Sequence, residues 1–553
     1  MTPSMPQLIV APVLLPLATA ALLLFLAERR RALKAFINLA SCVLGLALAV
    51  ALLLWVDGRD TPGSFAVYLP GNWPVPFGIV LVLDRLSALM LVLAAALGLA
   101  SLLFSLARWH RAGVHFHPLF QLQLMGLYGA FLTADLFNLF VFFEVLLAAS
   151  YGLLLHGNGS TRVRAGLHYI AINLLASFLF LIGVAVLYGV TGTLNMADIA
   201  HKLPQVPAGD RGLLHAGAAI LAVALLAKAA VWPLNFWLPA AYAAASAPVS
   251  ALFALLTKVG VYAVLRLWTL CFPASAGASA LFGADVLLWG GLATLGFGAL
   301  GMMASQQLGR LTGFSVIASS GTLLAAIGFG QAELTGGALF YLASATLAAG
   351  ALFLVVELVE RARQVEVDPP LADDADGDVL PFFVDPGEPP PGTNLDDDET
   401  VLIGRAIPSA LAFLGLAFLL CGLVVAGLPP LSGFVGKVAM LSALLDARAS
   451  PVPSPATWTL FALLIASGLL STIALTRVGI RHFWAPQERA APRLRIIECL
   501  PIGLLLIACM LLVVRGEAAL RYMRATADAL QRPALYIDAV LSARPVPGVG
   551  ARP

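Results

Sequence analysis

Apolar runs of about 20 residues recur along almost the whole chain, and a helix of that length crosses a bilayer core of ~30 Å. Reading the runs against the polar and proline-bearing stretches between them predicts about 14 spans. They lie near 7–27, 33–56, 77–106, 116–133, 136–155, 165–190, 212–239, 243–270, 281–304, 310–330, 336–359, 403–445, 457–478 and 496–514. The runs do not alternate apolar and polar residues, which argues against a transmembrane barrel. The expected fold is an all-α polytopic membrane protein. The first span is expected to direct insertion itself, without a cleaved leader.

Two predicted spans are interrupted. One reads "LLAKAAVWPLNFWLPAAYAAA", with Pro233 and Pro239, and the other "LLCGLVVAGLPPLSGFVGKVAMLSALL", with Pro429 and Pro430. Proline removes a helix donor and clashes with the preceding turn. The freed backbone groups must then be satisfied by protein or by water in a cavity. Two broken helices five spans apart are the expected mark of inverted repeats. The repeats are placed at spans 4–8 (residues 111–270) and 9–13 (281–480). Spans 1–3 precede them in residues 1–110, and the last span and a tail follow in 494–553. The tail, "RGEAALRYMRATADALQRPALYIDAVL", is expected to form an amphipathic helix lying on the membrane or on a neighbour.

The basic loops set the orientation. "ERRRALK", "ARWHRAGVH", "STRVRAG" and "TRVGIRHFWAPQERAAPRLR" all fall on one side for this span count, which makes that side the cytoplasm. Both termini are then expected outside it. Residues 364–404 hold many acids and prolines and no Lys or Arg, and are expected to be a disordered acidic loop on the cytoplasmic side.

Composition sharpens the class. Of 553 residues 60% are hydrophobic and only 11% charged, against about 25% charged in soluble domains. Net charge is +2, with no basic face to suggest nucleic acid. No phosphate-loop or dinucleotide motif is present. The five cysteines lack metal-ligand spacing, so neither a redox cofactor nor a metal site is expected, and the chain is not expected to be an enzyme.

Against this background four ionisable residues lie deep within predicted spans: Glu144, Lys228, Lys258 and Lys437. Each costs several kcal/mol at mid-membrane (~2.5–3.5 on the smaller scales), and such residues usually mark an ion path. Desolvation favours a neutral amine, whereas a nearby carboxylate favours the ammonium. A Glu–Lys pair that separates and rejoins is thus a proton switch. Glu144 is expected to face Lys228, and a turn through Gly433 and Gly436 to bring the Lys437 ammonium beside unwound carbonyls. A static ion pair holding helices together is the competing reading. Asp84 and Arg85 read as helix anchors, Asp135 and Asn138 as a cap, and His156, His168, His201 and His215 as solvated histidines. The run "GLATLGFGALG" should allow close helix packing.

Three stretches give the chain a resemblance to the D-type member of the Mrp-type multisubunit Na⁺/H⁺ antiporters, which is related to the antiporter-like membrane subunits of respiratory complex I. They are "DLFNLFVFFEVLLAASYGLL", "PLNFWLPAAYAAASAPVSALFALLTKVGVYAVLR" and "GLPPLSGFVGKVAMLSALL". The resemblance implies a proton relay through Glu144, Lys228, Lys258 and Lys437, proton movement coupled to Na⁺ movement, and a bacterial inner-membrane complex with several other subunits, including a larger antiporter-like one. The sequence departs from that family in the eleventh span, where Ser344 and Ala348 stand at places often held by histidine or lysine. Ser344 or Thr346, with water, would then carry the relay. Asn235 and Ser246 replace a common histidine and proline. A proton-pumping subunit of a complex I-like or hydrogenase complex is the alternative, and a scaffold without ion flux is a third reading.

Overall fold

The structure, a computed structural model, describes residues 5–59, 64–157, 159–367, 409–446, 454–484 and 494–546. Most of the acidic segment expected at 364–404 lies outside them.

The chain opens with α1 (Ala11–Phe25) and α2 (Arg31–Asp57). A short antiparallel pair, β1 (Ala66–Tyr68) and β2 (Leu81–Leu83), leads to α3 (Arg85–Ser105). Then come α4 (Phe116–Leu132), α5 (Leu136–Leu154), α6 (Ser160–Thr191), the short α7 (Met196–Lys202), α8 (Arg211–Lys228), α9 (Trp237–Ala244), α10 (Ala247–Phe253) and α11 (Leu256–Cys271). The second half holds α12 (Ala284–Ala304), α13 (Leu308–Phe329), α14 (Ala332–Val367), α15 (Ser409–Ala426), α16 (Ser432–Leu444) and α17 (Pro455–Gly479). It is followed by α18 (Ile496–Val514), α19 (Gly516–Leu530) and α20 (Pro533–Leu541).

Among the described residues 13 helical stretches are long and apolar enough to cross a membrane. The hydrophobic pattern predicts 14; the difference is the fourth predicted span, whose helix α4 has 17 residues and packs on α1, α3 and α5. The protein is a polytopic all-α membrane protein.

Both predicted breaks exist, with differences in detail. Helix stops at Lys228 and resumes at Trp237, and Pro233 falls in the gap. Pro239 does not break anything. It is the third residue of α9, in the first turn, where a missing N–H is no loss. The seventh span therefore runs on to Ala244, past its predicted end at 239. In the twelfth span α15 ends at Ala426, α16 begins at Ser432, and Pro429 and Pro430 lie between. Gly433 and Gly436 are helical residues of α16, not a turn; the turn is 427–431. Gly427 carries it, with φ +77°, a left-handed conformation that an L side chain resists. The eighth span is also interrupted, between Phe253 and Leu256, which the sequence pattern did not suggest.

The glycine-rich ninth span packs as expected. A Cβ at Gly291 would lie 2.3 Å from the Ala325 amide nitrogen, so α12 and α13 touch backbone to backbone.

The basic loops share one face of the molecule, as the span count requires. His115 lies 3.8 Å from Glu28, His156 bonds the Trp109 carbonyl at 2.8 Å, and Arg495 bonds the Ala107 carbonyl at 3.0 Å. The tail folds over the opposite face of this same chain. There the Tyr522 hydroxyl donates to the Arg85 carbonyl at 2.7 Å, and the Tyr536 ring lies 5.2 Å from the Arg266 guanidinium.

Candidate functional site

The break in the seventh span ends α8 at Lys228, so the lysine sits at a helix C-terminus, where its charge is favourable. Its ammonium is buried, donates to the Ser177 hydroxyl on α6 at 3.2 Å, and lies 5.0 Å from the Phe143 ring centre. Glu144 is the next residue on α5 after Phe143. No direct ion pair joins Glu144 to Lys228. Glu144 Oε1 is buried with no hydrogen-bond partner, although the residue as a whole is half-buried.

Lys258 stands in the first turn of α11, just past the interruption in the eighth span. It is 1% exposed. Gly260 lets α11 press against the end of α8, since a Cβ there would lie 2.7 Å from the Ala229 nitrogen. The Lys258 ammonium points the other way, into the second half of the chain. It donates to the Ser319 hydroxyl, to the Ser320 hydroxyl at 3.1 Å and to the Val316 carbonyl at 3.4 Å, all on α13.

The next polar contact is on α14, which packs on α13. Ser344 is fully buried and shares a 2.8 Å hydrogen bond with Ser432, the first residue of α16. Thr346 instead donates to the Leu342 carbonyl of its own helix at 2.6 Å. Five residues beyond Ser432, Lys437 turns back towards the break. Its ammonium donates at 2.8 Å to the carbonyl of Ala426, the last residue of α15. That carbonyl is one of the last four of a helix, which have no partner within it.

None of the three lysines forms an ion pair among the described residues. Each ammonium rests on neutral oxygens, which can accept a proton's hydrogen bond without fixing the charge in place. Such an arrangement tolerates both the charged and the neutral lysine, which a tight carboxylate pair would not.

The sequence pattern led to the lysines and the family resemblance to Ser344, but neither led to their acceptors. Ser177, Ser319, Ser320 and Ser432 are single hydroxyls in apolar helices, and such hydroxyls often bond only their own backbone. It also missed the partner of Asp84. Asp84 caps α3 through Ser87 and pairs with Arg266 through two 2.7 Å contacts, so it is half of a buried ion pair. The signal was present: Lys258, Tyr262 and Arg266 recur every fourth residue, on one helix face. Asp135 caps α5 as expected, accepting from the Asn138 amide at 2.8 Å.

Comparison with known proteins bears out the resemblance. A probable K⁺/H⁺ antiporter D-type subunit from Rhizobium meliloti (strain 1021) is 54% identical over 98% of this chain and 99% of its own length. The chain belongs to the D-type antiporter subunit family. The corresponding Na⁺/H⁺ antiporter protein of Alkalihalophilus pseudofirmus is 32% identical over 97% of this chain and all of its own. The family model described as "NADH:quinone oxidoreductase/Mrp antiporter, TM" matches residues 133–369 and so includes Glu144, Lys228 and Lys258. In the structure of the Mrp complex from Dietzia sp. DQ12-45-1b, one chain is 26% identical and superposes with a TM-score of 0.78, over 98% of this chain and 100% of that one. The likeness to D-type subunits thus extends over nearly the whole length.

Proposed function

We propose that this chain is the proton-conducting subunit of a multisubunit monovalent cation/proton antiporter. The observation that carries the reading is the band of buried lysines held by neutral acceptors beside helix interruptions, above all Lys437 on the Ala426 carbonyl. A proton taken up near Glu144 and Lys228 would pass to Lys258, then through Ser319, Ser320, Ser344 and Ser432 with intervening water, to Lys437. Glu144 would set how readily Lys228 holds its proton. The two broken helices would mark the two inverted repeats, each supplying one half of the path.

The chain would act in a bacterial inner membrane with both termini outside the cytoplasm. It would work beside the other subunits of the complex, including a larger antiporter-like one. Na⁺ is the cation implied by the sequence resemblance. The 54% identical relative is named for K⁺, so K⁺ belongs in the same assay. The test is cation-induced pH change in everted vesicles holding the whole complex, with Na⁺ and K⁺ in separate arms. Exchange by the wild type and none by Lys437→Ala is the expected result. Equal exchange by both would remove the chain from the proton path.

A further inference from the structure

Helix α14 touches both halves of the chain at places where a helix ends or restarts. At one end lies Glu357, which is 7% exposed. Both its oxygens accept from the Trp109 indole N–H at 2.8 Å, and Oε2 also accepts from the Ala247 amide at 3.2 Å. Ala247 is the first residue of α10, just after the turn that follows α9. The other side of that turn is held as well. Arg162 donates to the carbonyl of Ala244, the last residue of α9, at 2.9 Å, and its guanidinium lies 5.0 Å from the Trp109 ring centre. The lower half of the broken seventh span is thereby tied to α14 through Glu357.

Thirteen residues before Glu357, the same helix offers Ser344 to Ser432 at the restart of the second broken span. At 1.5 Å per residue the two points are ~20 Å apart along α14. No proline lies between them, so the helix is continuous and stiff over that distance. Gly436 brings α16 onto α14, since a Cβ there would lie 3.0 Å from Tyr341 Cα. A shift of the turn between α9 and α10 would therefore be felt at Ser432 through a rigid rod.

We propose that Glu357 is a positioning residue for ion exchange, and that α14 couples the break of the first half to the break of the second through Glu357 at one end and Ser344 at the other. Glu357 acts through the turn rather than by holding an ion. Its two acceptor oxygens fix the turn, and the rod fixes the register of the second break relative to the first. The proposal rests on the antiport reading above and adds a residue that the proton relay does not contain.

The test is a double-mutant cycle on the whole complex in everted vesicles, with complex levels measured in the same membranes. Glu357→Gln keeps volume and one acceptor oxygen. It is expected to lower the maximal exchange rate about tenfold while moving the half-saturating cation concentration less than twofold. Gly436→Ala, whose Cβ would press on Tyr341 Cα at 3.0 Å and which leaves the Ser344 and Ser432 hydroxyls in place, is expected to lower the rate about threefold. Independent sites would multiply to about thirtyfold in the double variant, whereas ends of one rod should show no further loss beyond Glu357→Gln. If Glu357→Gln reduces complex levels, Trp109→Phe, which removes the indole donor and leaves the carboxylate, replaces it in the cycle with the same expectation. A multiplicative loss, or a wild-type rate in the Glu357 variant, overturns the coupling. Absence of exchange in the wild-type complex would instead overturn the antiport reading itself.

Discussion

The Lys437 ammonium sits 2.8 Å from the Ala426 carbonyl, eleven residues back along the chain and across the break between α15 and α16. The contact is local in sequence yet depends on the break, because an intact helix would bury that carbonyl in its own ladder. Pro429 and Pro430 open the helix, Gly427 turns it, and the lysine occupies the freed acceptor. The lysine's charge therefore stabilises the very interruption that makes room for it.

From this follows the first prediction. Lys437→Ala should abolish cation/proton exchange at every pH, because the path loses its stop and the Ala426 carbonyl its donor. Lys437→Arg should assemble normally and still fail, since arginine stays protonated. The check is vesicle exchange normalised to complex level. Substantial exchange by the alanine variant would point to a water-filled route through this half.

Gly427→Ala tests the geometry separately from the chemistry. An added Cβ would lie 2.5 Å from Lys437 Cδ, and the residue would keep φ +77°, at a cost of roughly 1–2 kcal/mol for an L residue. The flexible lysine can move aside, so the complex should still assemble, with its ammonium displaced from Ala426. Exchange is expected to fall at least tenfold, close to the Lys437→Ala level. Unchanged exchange in Gly427→Ala would show that the Ala426 contact is incidental.

Much of this was legible beforehand. An ionisable residue within an apolar run stands out because burying it is costly, and so all four candidates could be picked from their places in the predicted spans. Prolines in those runs announced the breaks, though Pro239 misled because a proline in a first helical turn looks the same in sequence as one that interrupts. The acceptors were not legible. Ser319 and Ser320 matter only because α13 crosses α11 at Lys258, a tertiary fact with no local trace. Glu357 lies in "LFLVVELVERAR", close enough to the span's basic end to read as ordinary interfacial charge.

Glu144→Gln should leave complex levels intact and nearly abolish exchange. Glutamine preserves size, but no charge then acts on Lys228, whose ammonium rests on the neutral Ser177 hydroxyl and near the Phe143 ring. Lys228→Arg should be equally poor if Lys228 must release its proton. Wild-type rates in either variant, at normal complex levels, would leave Glu144 and Lys228 as packing residues.

At Lys258 the two serines can be removed without touching the lysine. Ser319→Ala with Ser320→Ala leaves only the Val316 carbonyl, at 3.4 Å, to hold the ammonium. A hydrogen bond to a charged group is worth roughly 1.5–3 kcal/mol. Either single variant should therefore slow exchange modestly, and the pair should slow it at least tenfold, with the complex still assembled. A double variant that exchanges at the wild-type rate would place the proton's route away from α13.

The Asp84–Arg266 pair lies outside the proposed relay and should behave as structure. Both side chains are buried, the contact is bidentate, Asp84 also caps α3, and Tyr536 from the tail covers Arg266. Removing one partner leaves an uncompensated buried charge, a loss of roughly 3–5 kcal/mol, whereas replacing both by apolar groups can be nearly neutral. Arg266→Leu should therefore deplete the complex from membranes, and Arg266→Lys should do so partly, because an ammonium cannot reproduce the paired contacts. Asp84→Leu combined with Arg266→Leu should recover much of the complex, less the lost cap of about 1 kcal/mol. The recovered double variant should then exchange ions at a near-normal rate per complex. If it assembles but does not exchange, the pair belongs to the ion path after all, and the face of α11 that carries Lys258, Tyr262 and Arg266 would be its course to the surface.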